Sequence, residues 1–160
     1  MFFNQFGIKS RNINLIGLSH LIVGFIFFIP ILALYLERDL FSITNVAIIF
    51  AIQSITMAVL EIPTGAIADL FGRKSTFVVG HGLYLVGLIF LYVGGNMFMF
   101  VLYAIITAIG SSLMSGNDVS IIYDTLKEEN KEKHYKKLMS ILYSLWPLGA
   151  IIGSIAGGYF

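Results

Sequence analysis

Hydrophobic positions in this chain fall into five long runs that short polar segments separate. Each run is long enough for a helix that crosses about 30 Å of hydrocarbon at about 1.5 Å per residue. Because lipid offers no hydrogen bonds to an open backbone, all five are predicted to be helices. The predicted fold is therefore all-α, a polytopic membrane bundle over residues 13–160 that follows a tail of residues 1–12. The runs cover residues 13–36, 43–68, 76–94, 97–123 and 138–160.

Composition supports a membrane protein and argues against an enzyme. The 160 residues are 58% hydrophobic and 12% charged, too little polar surface to coat a soluble globule. The absence of cysteine excludes disulfides, iron–sulfur clusters and thiolate zinc sites. The chain carries no phosphate-binding glycine loop, nucleophile elbow or zinc motif. We therefore expect no enzymatic activity, no cofactor, no metal and no nucleic acid partner.

Basic residues predict the orientation. Nine of the ten lysines and arginines lie in the tail or in the loops 69–75 and 124–137, and only Arg38 lies on the opposite side. Under the positive-inside rule, the amino terminus and both basic loops are cytoplasmic, in a multi-pass protein of the cell (plasma or inner) membrane. The lysine-rich loop 124–137 is either a solvated connector that sets topology or a binding site for anionic lipid. The nine residues are Lys9, Arg11, Arg73, Lys74, Lys127, Lys131, Lys133, Lys136 and Lys137.

The segment EIPTGAIADLFGRKS, residues 61–75, carries charges between the second and third runs. Gly65 has no side chain, so another helix could approach closely there. Asp69 comes at a helix C-terminus, where the helix dipole disfavours an anion, so a nearby cation such as Arg73 is expected. Gly72 suits the backbone angle of a tight reversal, and Arg73 with Lys74 would hold that reversal in the cytosol.

This segment resembles the loop between the second and third helices of the major facilitator superfamily, whose pattern is roughly G-x-x-x-D-x-x-G-R-[KR]. The resemblance implies a fold of about twelve helices in two halves, with substrate bound between the halves. The five runs would correspond to most of the N-terminal half. The lipid bilayer, a small-molecule substrate and the missing C-terminal half are then the implied partners, and a proton is a candidate coupling ion. The matching residues are Gly65, Asp69, Gly72, Arg73 and Lys74.

The fourth run ends SGNDVSIIYDTLKEE, which is similar to the acidic fourth helix of several bacterial members of this superfamily. The resemblance implies that Asp124 pairs with Arg73 and that, with Asp69, they form a charge cluster at the cytoplasmic rim. A cluster made in one conformation and broken in another would serve as a conformational gate. The alternative is that these residues only fix the topology and the fold of the loop.

The fifth run contains LGAIIGSIAGG, whose glycines lie nearly in register along one helix face. Small residues at such spacing favour tight contact between helices. The segment is also similar to the fifth-helix signature of antiporters in the superfamily. The predicted packing residues are Gly149, Gly153, Gly157 and Gly158.

Acidic and polar residues within the second and fourth runs are candidates for substrate or proton coupling. Glu61 lies about 12 Å along the helix from Asp69, and Asp118 lies about 9 Å from Asp124. Charges at such depths are costly and usually face a cavity or a partner. Each carboxylate either takes up a proton or contacts substrate, or makes a structural hydrogen bond in its protonated form. The candidates are Glu61, Asp118, Gln53 and Asn117.

Two functions are compatible with these features. The first is secondary transport of a small solute by alternating access, with this chain as an N-terminal fragment of a longer transporter that breaks off at a membrane boundary. The second is a non-transporting membrane subunit, or truncated remnant, that associates through its small-residue helix faces. Seven further spans downstream would favour the first function.

Overall fold

A computed structural model describes residues 11–25 and 29–159 of the chain, apart from the side chains of residues 29, 30, 158 and 159. This part consists of helices joined by short turns and contains no strand, which confirms the all-α prediction. Most of the predicted tail, the middle of the first run and Phe160 lie outside it. The helices are α1 (Arg11–Gly24), α2 (Ile29–Leu40), α3 (Ile43–Phe71), α4 (Arg73–Val93), α5 (Met97–Met114), α6 (Asn117–Glu128) and α7 (Tyr135–Tyr159), with a 3-10 turn at Glu132–His134.

Four helical segments among the described residues are long and apolar enough to cross a membrane. The first predicted span differs, because it is divided between α1 with 14 residues and α2 with 12 residues. Each of these is shorter than the roughly 20 residues that a full crossing needs. The prediction of an all-α membrane bundle is confirmed. The four segments are Ile43–Phe71, Arg73–Val93, Met97–Glu128 and Glu132–Gly157.

Two glycines interrupt helices where the hydrophobic pattern is continuous or only briefly polar. Gly72 separates α3 from α4 and has a φ of +89°, a conformation that is strained for residues with a side chain. Gly116, with a φ of +75°, divides the predicted fourth span into α5 and α6. Asn117 follows this break, and its side-chain amide donates a hydrogen bond of 2.6 Å to the carbonyl of Leu113. One carbonyl at the end of α5 is thereby satisfied.

The described helices form two compact units, and residues 33–118 make up one of them. In this unit α5 packs along both α4 and α3. Glycines bring α4 and α5 together, because a Cβ placed on Gly110 would lie 2.7 Å from the carbonyl oxygen of Gly80 and 2.7 Å from the amide nitrogen of Tyr84. The backbones of α4 and α5 are therefore in direct contact at this point.

The turn between α4 and α5 is fastened to the end of α2. The carboxylate of Asp39 accepts a hydrogen bond of 3.2 Å from the backbone N–H of Gly95. The hydroxyl of Tyr35 donates a bond of 3.1 Å to the carbonyl of Leu91. These bonds explain why α2 continues through its charged residues to Leu40, whereas the hydrophobic pattern ends at residue 36.

The second unit contains α1 and α7, which pack against each other, together with α6 from Val119. A Cβ on Gly149 would lie 2.5 Å from the carbonyl oxygen of Leu21, and one on Gly24 would meet the backbone of Trp146. Of the other predicted packing residues, Gly153 is buried and Gly157 is half-buried. Gly158 lies outside the residues whose burial the structure describes.

Candidate functional site

One side of α3 packs against α5, and another side is left uncovered by the described residues. The buried side includes Val46, Ile49, Thr64 and Ala68. Along the uncovered side, small residues and two carboxylates recur at intervals of three or four, which places them on a single helix face. We call this the small-residue face of α3. Its members, all exposed, are Ala47, Ala51, Ser54, Ala58, Glu61, Gly65 and Asp69.

Glu61 lies near the middle of the membrane-spanning helix. It precedes the end of α3 by ten residues, which corresponds to about 15 Å or half the hydrocarbon thickness. Its side chain is exposed and makes no hydrogen bond or ion pair with any residue in the described ranges 11–25 and 29–159. A lone carboxylate facing lipid is costly, so this face requires water or a further polar element in front of it.

Gln53, in contrast, is engaged in helix packing. Its amide nitrogen donates a hydrogen bond of 2.9 Å to the hydroxyl of Thr107 on α5. Thr107 is fully buried and donates in turn to the carbonyl of Tyr103, at 2.7 Å. Interhelical bonds of this kind contribute roughly 0.6 to 2 kcal/mol in membrane proteins. The structure therefore places Gln53 and Glu61 on different faces of α3.

A second polar contact joins α3 and α5 further along. The hydroxyls of Thr64 and Ser112 are 2.9 Å apart and both side chains are buried. Thr64 also donates to the carbonyl of Leu60, at 2.7 Å. Isolated threonines and serines in an apolar run carry no distinctive pattern, so the sequence does not single out these residues. The contact between α4 and α5 does have a sequence signal: Gly80 and Gly87 are seven residues apart, which places two small residues on one face of α4.

The two candidates on the fourth run lie at the break between α5 and α6. Asn117 is buried and satisfies the end of α5 through its bond to Leu113. Asp118 is half-buried in the first turn of α6, where the helix dipole favours a carboxylate. These surroundings give both residues a structural role, and a role in coupling stays a prediction.

The reversal between α3 and α4 carries an ion pair. Arg73 and Asp69 are 3.4 Å apart, with side chains 38% and 70% exposed. An exposed pair of this kind contributes about 1 kcal/mol or less, so it is easily made and broken. Lys74, the next residue, is exposed.

Two further predictions about the cytoplasmic rim concern the surroundings of Gly65 and of Asp124. A Cβ on Gly65 would meet no atom within 4 Å, so no described helix makes the close approach expected there. Asp124 is exposed on α6 and belongs to the other compact unit. Its pairing with Arg73 therefore stays a prediction. In the described part of the chain, no group of three or more histidines, aspartates or glutamates could hold a metal ion.

Comparison with known proteins assigns the chain to a family. The family model described as Major Facilitator Superfamily matches residues 15–160. A curated relative, the "Uncharacterized MFS-type transporter YvkA" of Bacillus subtilis (strain 168), is 24% identical over 92 residues, covering 58% of this chain and 21% of the relative. The matched region thus spans about a fifth of that relative's length. No solved structure gave a significant match. Since the family model covers nearly all of the chain, this multi-pass membrane protein belongs to the Major Facilitator Superfamily.

Proposed function

We propose that the chain is part of a secondary transporter that moves a small solute by alternating access, and that the small-residue face of α3 lines its pathway. The observation that carries this proposal is Glu61, an exposed carboxylate at mid-membrane depth with no bonding partner in the described chain. Membership of the superfamily and the transporter name of the relative from Bacillus subtilis support it. Further helices, which the resemblance places in a C-terminal half, complete the pathway.

Protonation of Glu61 offers a coupling mechanism. The ionised carboxylate requires water or a cation, whereas the protonated form tolerates a surface of low polarity. In this proposal Glu61 exchanges a proton or contacts the solute as the pathway opens and closes, and Asp118 is the second candidate.

The rim formed by Asp69, Arg73 and Asp124 is proposed as the gate. The exposed Asp69–Arg73 pair has the low stability that a reversible contact needs. An additional carboxylate from α6 would compete for the same guanidinium in one conformation only, which gives the two-state behaviour of a switch. Gly72 is the single residue between α3 and α4. Arg73 therefore moves together with the adjoining ends of these two helices.

Single cysteines test whether the small-residue face meets water. Residues 1–160 contain no cysteine, so in the longer transporter, with any cysteine elsewhere replaced by serine, each substitution adds the only thiol. Because maleimides react with the thiolate, which forms in water, Ala58→Cys in a membrane should react at least tenfold faster than Val59→Cys. Val59 is the matched control, since it is the next residue on α3 and is 67% exposed on another side of the helix. Equally slow labelling at both positions would remove the proposed pathway.

The proposed orientation, with a cytoplasmic amino terminus, is tested in the same cysteine-free chain. Asn96 and Asn130 are exposed polar residues in turns on the two sides predicted from the basic residues. A membrane-impermeant maleimide added to intact cells should label Asn96→Cys and should reach Asn130→Cys only after permeabilisation. Labelling of Asn130→Cys from outside would reverse the orientation, and labelling of both from one side would contradict the predicted span count.

A further inference from the structure

Helix α7 has an exposed side that is basic at its beginning and apolar further along. Leu138, Leu142 and Gly149 are buried on the opposite side, which packs in the unit with α1. We call the exposed side the basic–apolar face of α7. Its members are Lys133 in the preceding turn, then Lys136, Lys137, Ser144, Leu148, Ile151 and Ile155, all exposed.

The positive charge of this face exceeds the negative charge next to it, because Glu132 directly precedes Lys133 and three lysines follow that single carboxylate. No aspartate or glutamate follows Glu132 along the chain. Lys133 and Lys136 make no ion pair with any residue that the structure describes. Lys131 differs, because its ammonium group lies 2.8 Å from the carboxylate of Glu129. Lys133 and Lys136 thus present positive charge that no described carboxylate pairs, whereas Lys131 already has an anion.

The lysines of this face lie at the membrane surface. The candidate membrane span that contains α7 begins at Glu132, so the first turn of α7 stands at the level of the lipid headgroups. The rings of Tyr123 and Tyr135 meet edge to face with centroids 5.6 Å apart beside these lysines. Tyrosines are enriched at this depth because their rings are apolar and their hydroxyls polar.

The same face becomes apolar toward the bilayer centre. Leu148, Ile151 and Ile155 are 49%, 58% and 71% exposed, and their spacing places them on one side of α7. Lys137 precedes Leu148 by eleven residues and Ile151 by fourteen, or about 17 and 21 Å along the helix. A phospholipid leaflet is about 20 Å deep including its headgroup. The lysines at the headgroup level and the apolar side chains deeper in the bilayer therefore match the headgroup and the acyl chain of one lipid molecule.

We propose that this face binds an anionic phospholipid in preference to a zwitterionic one. The phosphate and the anionic headgroup lie against Lys133, Lys136 and Lys137, and an acyl chain lies along Leu148 and Ile151. Net negative charge on the headgroup distinguishes this lipid from phosphatidylcholine, whose own ammonium group opposes the lysines. The proposal concerns a lipid site and does not depend on the proposed transport function.

A tryptophan on the basic–apolar face reports the lipid bound there. Trp146, the single tryptophan of the chain, lies three residues before Gly149 on the side of α7 that packs against α1, so it is replaced by Phe and Ser144→Trp supplies the reporter. Ser144 is exposed on the basic–apolar face eight residues after Lys136, about 12 Å deeper, within reach of bromine atoms on lipid acyl chains. The purified chain should be reconstituted in vesicles that contain either dibrominated phosphatidylglycerol or dibrominated phosphatidylcholine. The quenching of the Ser144→Trp fluorescence then gives the relative affinity for the two lipids.

We expect phosphatidylglycerol to bind at least fivefold more tightly than phosphatidylcholine. A lysine near the surface contributes up to about fivefold to the attraction of anionic lipid, so a triple change of Lys133, Lys136 and Lys137 to Gln should remove the preference. The triple change to Arg should retain it, because the charge persists. Lys131→Gln is the matched control and should also retain it, since Lys131 already pairs with Glu129.

Two results would overturn the proposal. One is equal quenching by the two brominated lipids in the chain that carries only the Ser144→Trp reporter, and the other is full preference when the three lysines are also changed to Gln. Circular dichroism and the emission maximum of the reporter tryptophan in unbrominated lipid show whether each variant is folded. Should the glutamine variant misfold, the arginine variant still decides: loss of the preference in this folded protein, whose charge is unchanged, would contradict recognition by charge.

Discussion

Gly110→Ala is expected to destabilise the unit of residues 33–118 by about 2 kcal/mol, within the usual range for overpacking a tight core. The added Cβ would lie 2.7 Å from the carbonyl oxygen of Gly80 and 2.7 Å from the amide nitrogen of Tyr84. Both are backbone atoms, so no side chain can rotate away and α4 must separate from α5. Unfolding in detergent micelles with increasing sodium dodecyl sulfate, followed by circular dichroism, measures the change in free energy.

Gly82→Ala is the matched control for this effect. It adds the same methyl group to α4 two residues after Gly80, at a position where a Cβ meets no atom within 4 Å. Its stability should equal that of the natural chain or exceed it by up to about 1 kcal/mol, because alanine is the better helix former. Equal stability of Gly110→Ala and Gly82→Ala would show that α4 and α5 do not meet through their backbones.

Gly149→Ala should destabilise the packing of α1 against α7 by a similar or larger amount, about 2 to 3 kcal/mol. Its Cβ would lie 2.5 Å from the carbonyl oxygen of Leu21 and 2.9 Å from the amide nitrogen of Phe25. Since both atoms again belong to the backbone, α1 must move away from α7. Trp146 lies three residues from Gly149, so its fluorescence reports unfolding of this pair during the same titration.

Ser154→Ala serves as the control on α7. Ser154 is exposed on the same helix, so loss of its hydroxyl should change the stability by less than about 0.5 kcal/mol. If Gly149→Ala unfolds at the same detergent concentration as Ser154→Ala and the natural chain, the close α1–α7 contact is absent in the folded protein.

The boundaries of two helices differ from those that the hydrophobic pattern predicts. The second run was predicted at residues 43–68, and α3 continues to Phe71 through Asp69 because only Gly72 interrupts the backbone. The fourth run, predicted as one span that includes the polar residues 115–118, is divided at Gly116. Hydrophobicity reports where lipid is favourable, whereas a helix ends where the backbone changes conformation.

The candidate site was only partly predictable for a related reason. Glu61 and Gln53 are both polar residues in the same apolar run, and the sequence treats them alike as coupling candidates. In the structure Gln53 bonds to Thr107, while Glu61 remains exposed on another side of α3. This difference depends on Thr107 of α5, which lies 54 residues from Gln53 in the chain, so no local pattern could reveal it.

The membrane location, the all-α class and the gathering of cations in particular loops can all be read along the chain, because a bilayer acts on each segment separately through its length, polarity and charge. Contacts between helices depend on pairs of distant segments, and only the tertiary structure identifies them. Gly80 and Gly110 join two helices, whereas Gly82 and Gly65 face open space, although all four are the same residue within apolar surroundings. Only the folded arrangement shows that Gln53 bonds to Thr107 while Glu61 stays uncovered, and for that reason Glu61, of the two coupling candidates on α3, is the one that we propose for transport.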